Sequence, residues 1–210
     1  MSAVSAAAWS YAEGFVPESD ITVRARGRAE ELGCVPVGQG VASALRFLAA
    51  AIGARSVVEI GTGAGVSGLA LLEGMGEDGV LTTIDIEAEH QRAAKEAFGE
   101  AGVRHQRTRL ITGRALEVLP RLTDGAYDLV LVDADKPELP AYLDEAVRLL
   151  RTGGVLAVDN ALWNGKVADP AQRDESTTAV RELSKAVRSA DNLVPALLPA
   201  GDGLLVAVKR

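Results

Sequence analysis

One cysteine, Cys34, is all that 210 residues contain, so an intrachain disulfide and a cysteine-built metal site are both excluded. No stretch approaches the roughly 18 consecutive apolar residues that a membrane span requires. No Lys- or Arg-rich block occurs. With 22 basic against 29 acidic residues the net charge is −7, which argues against a nucleic-acid partner, since neutralising phosphates needs a basic face. Repeats, low-complexity tracts and a linker long enough to divide two domains are all missing. The segment Met1–Gly14 is Ala-rich, carries Glu13 and has no basic residue before Arg24, unlike a signal peptide. A cytoplasmic location is the expectation.

What is present is globular composition, 48% hydrophobic and 24% charged, in a length that suits one domain. Residues 1–52 read as an N-terminal helical cap and 53–210 as the core. In the cap, Ser19 and Asp20 stand where an N-cap belongs, and Val41–Ile52 is apolar on nearly all sides. Short β-branched runs then alternate with amphipathic stretches. Strands are expected at Ser56–Ile60, Val80–Ile84, Thr108–Thr112, Tyr127–Val132 and Val155–Val158, with two more near Leu193–Leu198 and Leu204–Lys209. Helices are expected at Val66–Met75, Glu87–Ala101, Ala115–Leu122, Pro140–Leu150 and Thr177–Ala190. Gly102 and Gly153-Gly154 read as helix stops. This order implies an α/β fold: a mostly parallel sheet with right-handed crossovers and helices on both faces. The loop 199–203 is too short for a crossover helix, so the last two strands must form an antiparallel hairpin. Ligands of such sheets bind outside the C-terminal strand ends.

The run from Glu59 through Gly61, Gly63 and Gly65 to Ser67 follows the first strand and opens a helix. Glycines there let a ligand approach the backbone, and helix N-terminal N–H groups favour a carboxylate or phosphate. A dinucleotide fingerprint needs a third glycine where Val66 stands, so the spacing fits a ligand without pyrophosphate. Asp85 ends the second strand, where an acid can accept ribose hydroxyls. Either feature alone is as readily a tight turn or a helix cap. Together they favour a nucleoside site.

Four segments carry a resemblance: Val57–Ser67, Thr83–Ile86, Val132-Asp133-Ala134-Asp135-Lys136, and Val158-Asp159-Asn160 running on to Asp169-Pro170. They resemble the cation-dependent O-methyltransferases, the group of catechol and caffeoyl-CoA O-methyltransferases and small bacterial relatives. The likeness runs from about Val35 to the C-terminus. The glycine loop is shared with many class I methyltransferases, whereas the last two segments are specific. The resemblance implies a class I, Rossmann-like sandwich with a seven-stranded sheet and a reversed last strand. It implies S-adenosylmethionine as cofactor, with Gly61 and Gly63 at its methionine part, Ser67 at its carboxylate and Asp85 at its ribose, and Glu59 also among the cofactor-binding residues. Ala115 would line the adenine, and Asp133 would border the same site. Asp133, Asp159 and Asn160 would hold Mg²⁺ or another divalent cation such as Ca²⁺ or Mn²⁺. Lys136 would be the catalytic base, acting with Asp133.

The residue chemistry stands beside that likeness. Asp133 and Asp159 each end a strand, and two carboxylates with one amide are hard oxygen ligands, leaving about three octahedral positions for water and substrate oxygens. Adjacent hydroxyls fit two of them, hence a catechol-like or phenolic acceptor. Caps and turns are the plainer reading of each acid alone. Lys136 must shed its own proton to act as a base; a neighbouring cation favours that, and a carboxylate such as Asp135 opposes it. Its plainer reading is an exposed lysine at a helix start, where its charge opposes the helix dipole. Relatives commonly carry an aromatic near Leu139, and here Tyr142 follows instead. Trp163 either walls the substrate pocket or packs under a helix. His90 and His105 read as surface residues, and Cys34 as structural. The N-terminal helices, with Trp9, Tyr11 and Phe15, either cover the pocket or form the interface of the homodimer that the likeness implies. A nicotinamide-dependent oxidoreductase and a non-catalytic cofactor-binding partner are the competing functions. Val66 and the lack of a hydride-transfer constellation disfavour the first. The set Asp133, Lys136, Asp159 and Asn160 disfavours the second.

Overall fold

The computed structural model describes residues 5–210; the part of the expected helical start that lies on residues 1–4 falls outside the described residues. Strand β1 (Ser56–Ile60) is flanked by β2 (Val80–Asp85) and β4 (Tyr127–Val132), both parallel to it. Outside these lie β3 (Thr108–Thr112) and β5 (Leu150–Val158), and the sheet order is β3-β2-β1-β4-β5-β7-β6. β7 (Leu204–Lys209) runs antiparallel to β5 and pairs antiparallel with β6 (Leu193–Leu198). The seven-stranded, mostly parallel sheet with a closing hairpin is therefore as expected. Its order reverses between β1 and β4, and a ligand crevice belongs at that switch point.

The apolar β-branched runs form strands because both faces are covered. One core layer packs Val57, Leu81 and Leu129 under Val41, Leu45 and Leu71 of helices α3 (Gln39–Ala51) and α4 (Val66–Gly74). The opposite layer packs Val58, Val130 and Leu156 under Leu143, Ala146 and Leu183 of α7 (Leu139–Leu149) and α8 (Glu175–Ser189). Helix α5 (Ala88–Glu100) joins the first layer through Ala94, Ala97 and Phe98. The short α6 (Ala115–Val118) ends early and continues as a tight turn over Leu119–Arg121, which carries Pro120.

Helices α1 (Ala6–Glu13) and α2 (Asp20–Glu31) precede α3, and the Ser19 hydroxyl caps α2 by accepting from Thr22 N at 3.2 Å. The apolar segment at Val41–Ile52 is more one-sided than its composition implies: Val41, Leu45 and Ala49 are buried, yet Phe47 is 70% exposed. β5 is also longer than its apolar run. Gly153 adopts φ 78° and the β4–β5 register shifts between Tyr127 and Leu129, so the glycine pair forms an irregular strand entry rather than a loop. Among the described residues no helix is long and apolar enough to cross a membrane.

Candidate active site

At the switch point a cleft of ≈ 280 Å³ opens over the C-terminal ends of β1, β2 and β4. Its floor is the β1–α4 turn. Gly61 N donates to Ile84 O at 2.9 Å, and Gly61, Gly63 and Gly65 all take positive φ, at 96°, 49° and 89°. A Cβ at Gly65 would sit 3.0 Å from Ala94 Cα, so glycine there lets α4 start against α5. Ser67 stands in the first turn of α4, 5% exposed and lining the cleft, where unpaired N–H groups favour an anion.

Asp85, at the end of β2, is 9% exposed and aimed at this turn. Its Oδ2 accepts from Thr62 N at 3.0 Å and Gly63 N at 2.9 Å. Its Oδ1 accepts from Glu87 N at 2.9 Å and pairs with His90 Nδ1 at 3.2 Å. Gly113, Arg114 and the buried Ala115 line the cleft beyond. Glu59 is fully buried behind the turn and does not line the cleft. Its Oε2 accepts from Thr83 Oγ1 at 2.5 Å, its Oε1 has no partner, and burial pushes the carboxyl up to about 7. Its reach toward a ligand is therefore indirect, through the Thr83–Thr62 hydroxyl pair.

The second half of the site lies at the ends of β4 and β5. Asp133 N donates to Ile60 O at 2.8 Å and Asp159 N to Val132 O at 3.1 Å, which sets the two acids on adjoining strand ends. Lys136 Nζ sits among the ligand candidates, donating to Asn160 Oδ1 at 2.9 Å and lying 4.0 Å from Asp133 Oδ1. Asn160 Nδ2 in turn donates to Asp159 Oδ2 at 3.3 Å. The other oxygen, Asp159 Oδ1, is buried with no partner. Burial, then the negative charge of Asp133, pushes Asp159 up to about 7, and burial raises Asp133 as well. The four residues singled out at these strand ends thus meet around one point. Among the described residues no three His, Cys, Asp or Glu side chains gather as a metal cage; this set has two carboxylates and an amide.

Asn160 takes the left-handed φ of 57°, as do Trp163 (48°) and Asn164 (53°). A tryptophan there is strained, and the hairpin loop holds it. Asn164 N donates to both Asp202 carboxylate oxygens (2.8 and 2.9 Å), Leu162 N to Asp202 O and Ala161 N to Gly203 O. Trp163 is half-buried, with Lys136 Nζ 5.6 Å from its ring centroid.

A model of the family described as O-methyltransferase matches residues 22–210. A Mycobacterium marinum protein named for the same family is 54% identical over 200 residues, covering 95% of this chain and 89% of the relative. The chain belongs to the O-methyltransferase family. A solved Corynebacterium glutamicum protein superposes on this methyltransferase with a TM-score of 0.88 at 36% identity, covering 95% of this chain and 94% of its own. The O-methyltransferase TomG of Streptomyces achromogenes, involved in tomaymycin synthesis and solved in complex with SAM, gives a TM-score of 0.86 at 30% identity over 95% and 94% of the two chains. The family sets aside the nicotinamide reading.

The cleft is also lined by residues to which the sequence assigns no site role. His90 is not a surface residue: its side chain is 19% exposed and lines the cleft. Cys34, Val35 and Val37, from the loop before α3, close the same cleft, and burial raises the Cys34 thiol. Tyr142 lines it too, 4% exposed, donating to the Glu138 carboxylate, while Leu139 is buried in the core. Glu138 also pairs with Arg114 at 2.6 Å, linking the loops after β3 and β4.

Proposed function

We propose that this protein transfers the methyl group of S-adenosylmethionine to a hydroxyl of a small catechol-like or phenolic molecule, with a bound divalent cation, Mg²⁺ in first place. The observation that carries this reading is the buried, unpartnered Asp159 Oδ1 beside Asp133, Asn160 and the Lys136 ammonium. Two desolvated carboxylates converging there favour a positive guest, and oxygen donors suit a hard one. Asp133, Asp159 and Asn160 would hold it.

A cation so held supplies charge that makes a nearby hydroxyl more acidic, and the sulfonium cofactor supplies an electrophilic methyl. The chain's own residues do the rest. The glycine turn and the first turn of α4, with Ser67, receive the methionine carboxylate. Asp85 accepts a ribose hydroxyl, and Ala115 offers an apolar wall to the adenine. Once it has shed its own proton, Lys136 Nζ, 7% exposed as a residue, would take the phenolic proton as a neutral amine, and its bond to Asn160 Oδ1 and the Trp163 ring hold it in place. Asp133, one strand over from the glycine turn, keeps the acceptor pocket against the cofactor pocket, so the remaining contribution is alignment.

The direct test is transfer of labelled methyl from S-adenosylmethionine to catechol. Transfer with Mg²⁺ and none with EDTA is expected, and Lys136→Ala should lower kcat about 10²-fold or more with little change in KM. Transfer indifferent to EDTA would remove the cation from the account. Cytoplasmic placement fits the free thiol of Cys34. A homodimer fits α1, which buries none of its residues and leaves Tyr11 71% exposed, with Phe15 just beyond the helix 68% exposed. Light scattering decides that point: a mass of one chain contradicts it.

A further inference from the structure

Asp85 is saturated. A carboxylate offers about four acceptor positions, and Asp85 already receives Thr62 N, Gly63 N, Glu87 N and His90 Nδ1. An ionised carboxylate only accepts, so it is Nδ1 that carries the imidazole hydrogen. Three of the four donors are backbone groups. Thr62 and Gly63 belong to the turn fastened by Gly61 N to Ile84 O, and Glu87 leads into α5, where its carbonyl accepts Gln91 N. None of them can leave without moving the backbone. The fourth is a side chain in the cleft, with the longest of the four bonds. His90 can leave by rotating about its two χ angles. It is not needed to orient Asp85 either, because the backbone donors already hold both oxygens. Gln91, its neighbour, is committed elsewhere, donating to Thr62 Oγ1, Thr83 O and Ile111 O.

We propose that His90 is a displaceable latch on Asp85, competing with the nucleoside for Oδ1 and so setting how strongly the site distinguishes a ribose from a deoxyribose. This rests on reading the cleft as a nucleoside site. When a ribose hydroxyl binds, one hydrogen bond to Asp85 forms as the His90 bond breaks, so the net gain from that hydroxyl is small. With the imidazole donor removed, the same hydroxyl gains a whole charge-assisted bond.

Calorimetry with S-adenosylhomocysteine and its 2′-deoxy and 3′-deoxy analogues reads this directly. For one of the two positions, losing the hydroxyl should weaken binding to the unmodified protein less than about threefold, but weaken binding to His90→Ala and His90→Phe about tenfold or more. His90→Asn keeps a donor near the Nδ1 position and should behave as the unmodified protein. His90→Phe retains the ring volume, so the comparison survives if His90→Ala folds poorly. The same hydroxyl penalty in all four proteins overturns the latch while leaving the nucleoside site intact. An unmodified protein that binds no S-adenosylhomocysteine overturns both.

Discussion

Gly61 and Asp133 meet backbone to backbone: a Cβ on Gly61 would overlap the Asp133 carbonyl oxygen and lie 2.8 Å from its carbonyl carbon. This contact sets the glycine turn directly against the strand end that carries Asp133 and, three residues on, Lys136. Gly61 also holds φ 96°, so an L-residue there is both strained and obstructed. Gly61→Ala should cost about 3 kcal/mol or more, since left-handed strain and overpacking each cost roughly 1–3 kcal/mol. Gly27→Ala is the control: it lies within α2, its added methyl would meet nothing within 4 Å, and helix propensity favours it by up to about 1 kcal/mol. Denaturant unfolding of the two variants checks the contrast; equal stability would contradict it.

Glu59 makes a pH-dependent contribution to stability. Burial lifts its folded-state value from 4.5 to about 7. Below pH 4.5 both folded and unfolded chains carry the proton, and the residue has no effect on the pH profile. Between 4.5 and 7 the unfolded chain ionises while the folded one does not, so stability falls as pH rises, and the deficit is complete above 7. Asp159, lifted from 3.8 to about 7, acts in the same direction between those values. Glu59→Gln removes only the Glu59 share and still accepts from Thr83. Its Tm relative to the unmodified protein should rise from pH 5 to pH 8; parallel profiles would contradict this.

Arg181, on α8, gathers the loop that follows Asn160. Its guanidinium donates to Val167 O (3.0 Å), Lys166 O (2.8 Å), Gln172 O (2.5 Å) and Asp169 O. It touches none of the proposed ligands, so Arg181→Ala should loosen the acceptor side without disturbing the cofactor side. KM for a phenol should rise several-fold while S-adenosylhomocysteine affinity stays within about twofold, on the order of one neutral hydrogen bond or less. Loss of both together would show that the loop supports the whole site.

Much of this architecture was legible because the strands are short β-branched runs bounded by turn residues: Ser56–Ile60 and Tyr127–Val132 carry the expected bounds, and the loop 199–203 permits only a hairpin. Gly153-Gly154 reads as a helix stop because glycine serves turns and strand irregularities alike, and only the β4–β5 register tells them apart. That the strand-end acids lie near one another follows from the parallel sheet, which brings strand ends together, whereas Lys136 is singled out only by the likeness of its segment. His90 was not legible. Its signal is its place in the first turn of α5, five residues after Asp85, but helical periodicity does not say that this turn faces the ligand cleft rather than solvent. Cys34, Val35 and Val37 reach the cleft only because α3 packs on α4, a tertiary fact with no local pattern.

Asp133, Asp159 and Asn160 are proposed to create an acceptor site only when they share a cation. Calorimetric titration of catechol into the S-adenosylhomocysteine-loaded protein tests it without requiring turnover. Catechol should bind with Mg²⁺ present, and binding should vanish both in EDTA and in Asp159→Ala. Catechol binding of equal strength with Mg²⁺ and with EDTA would contradict the account.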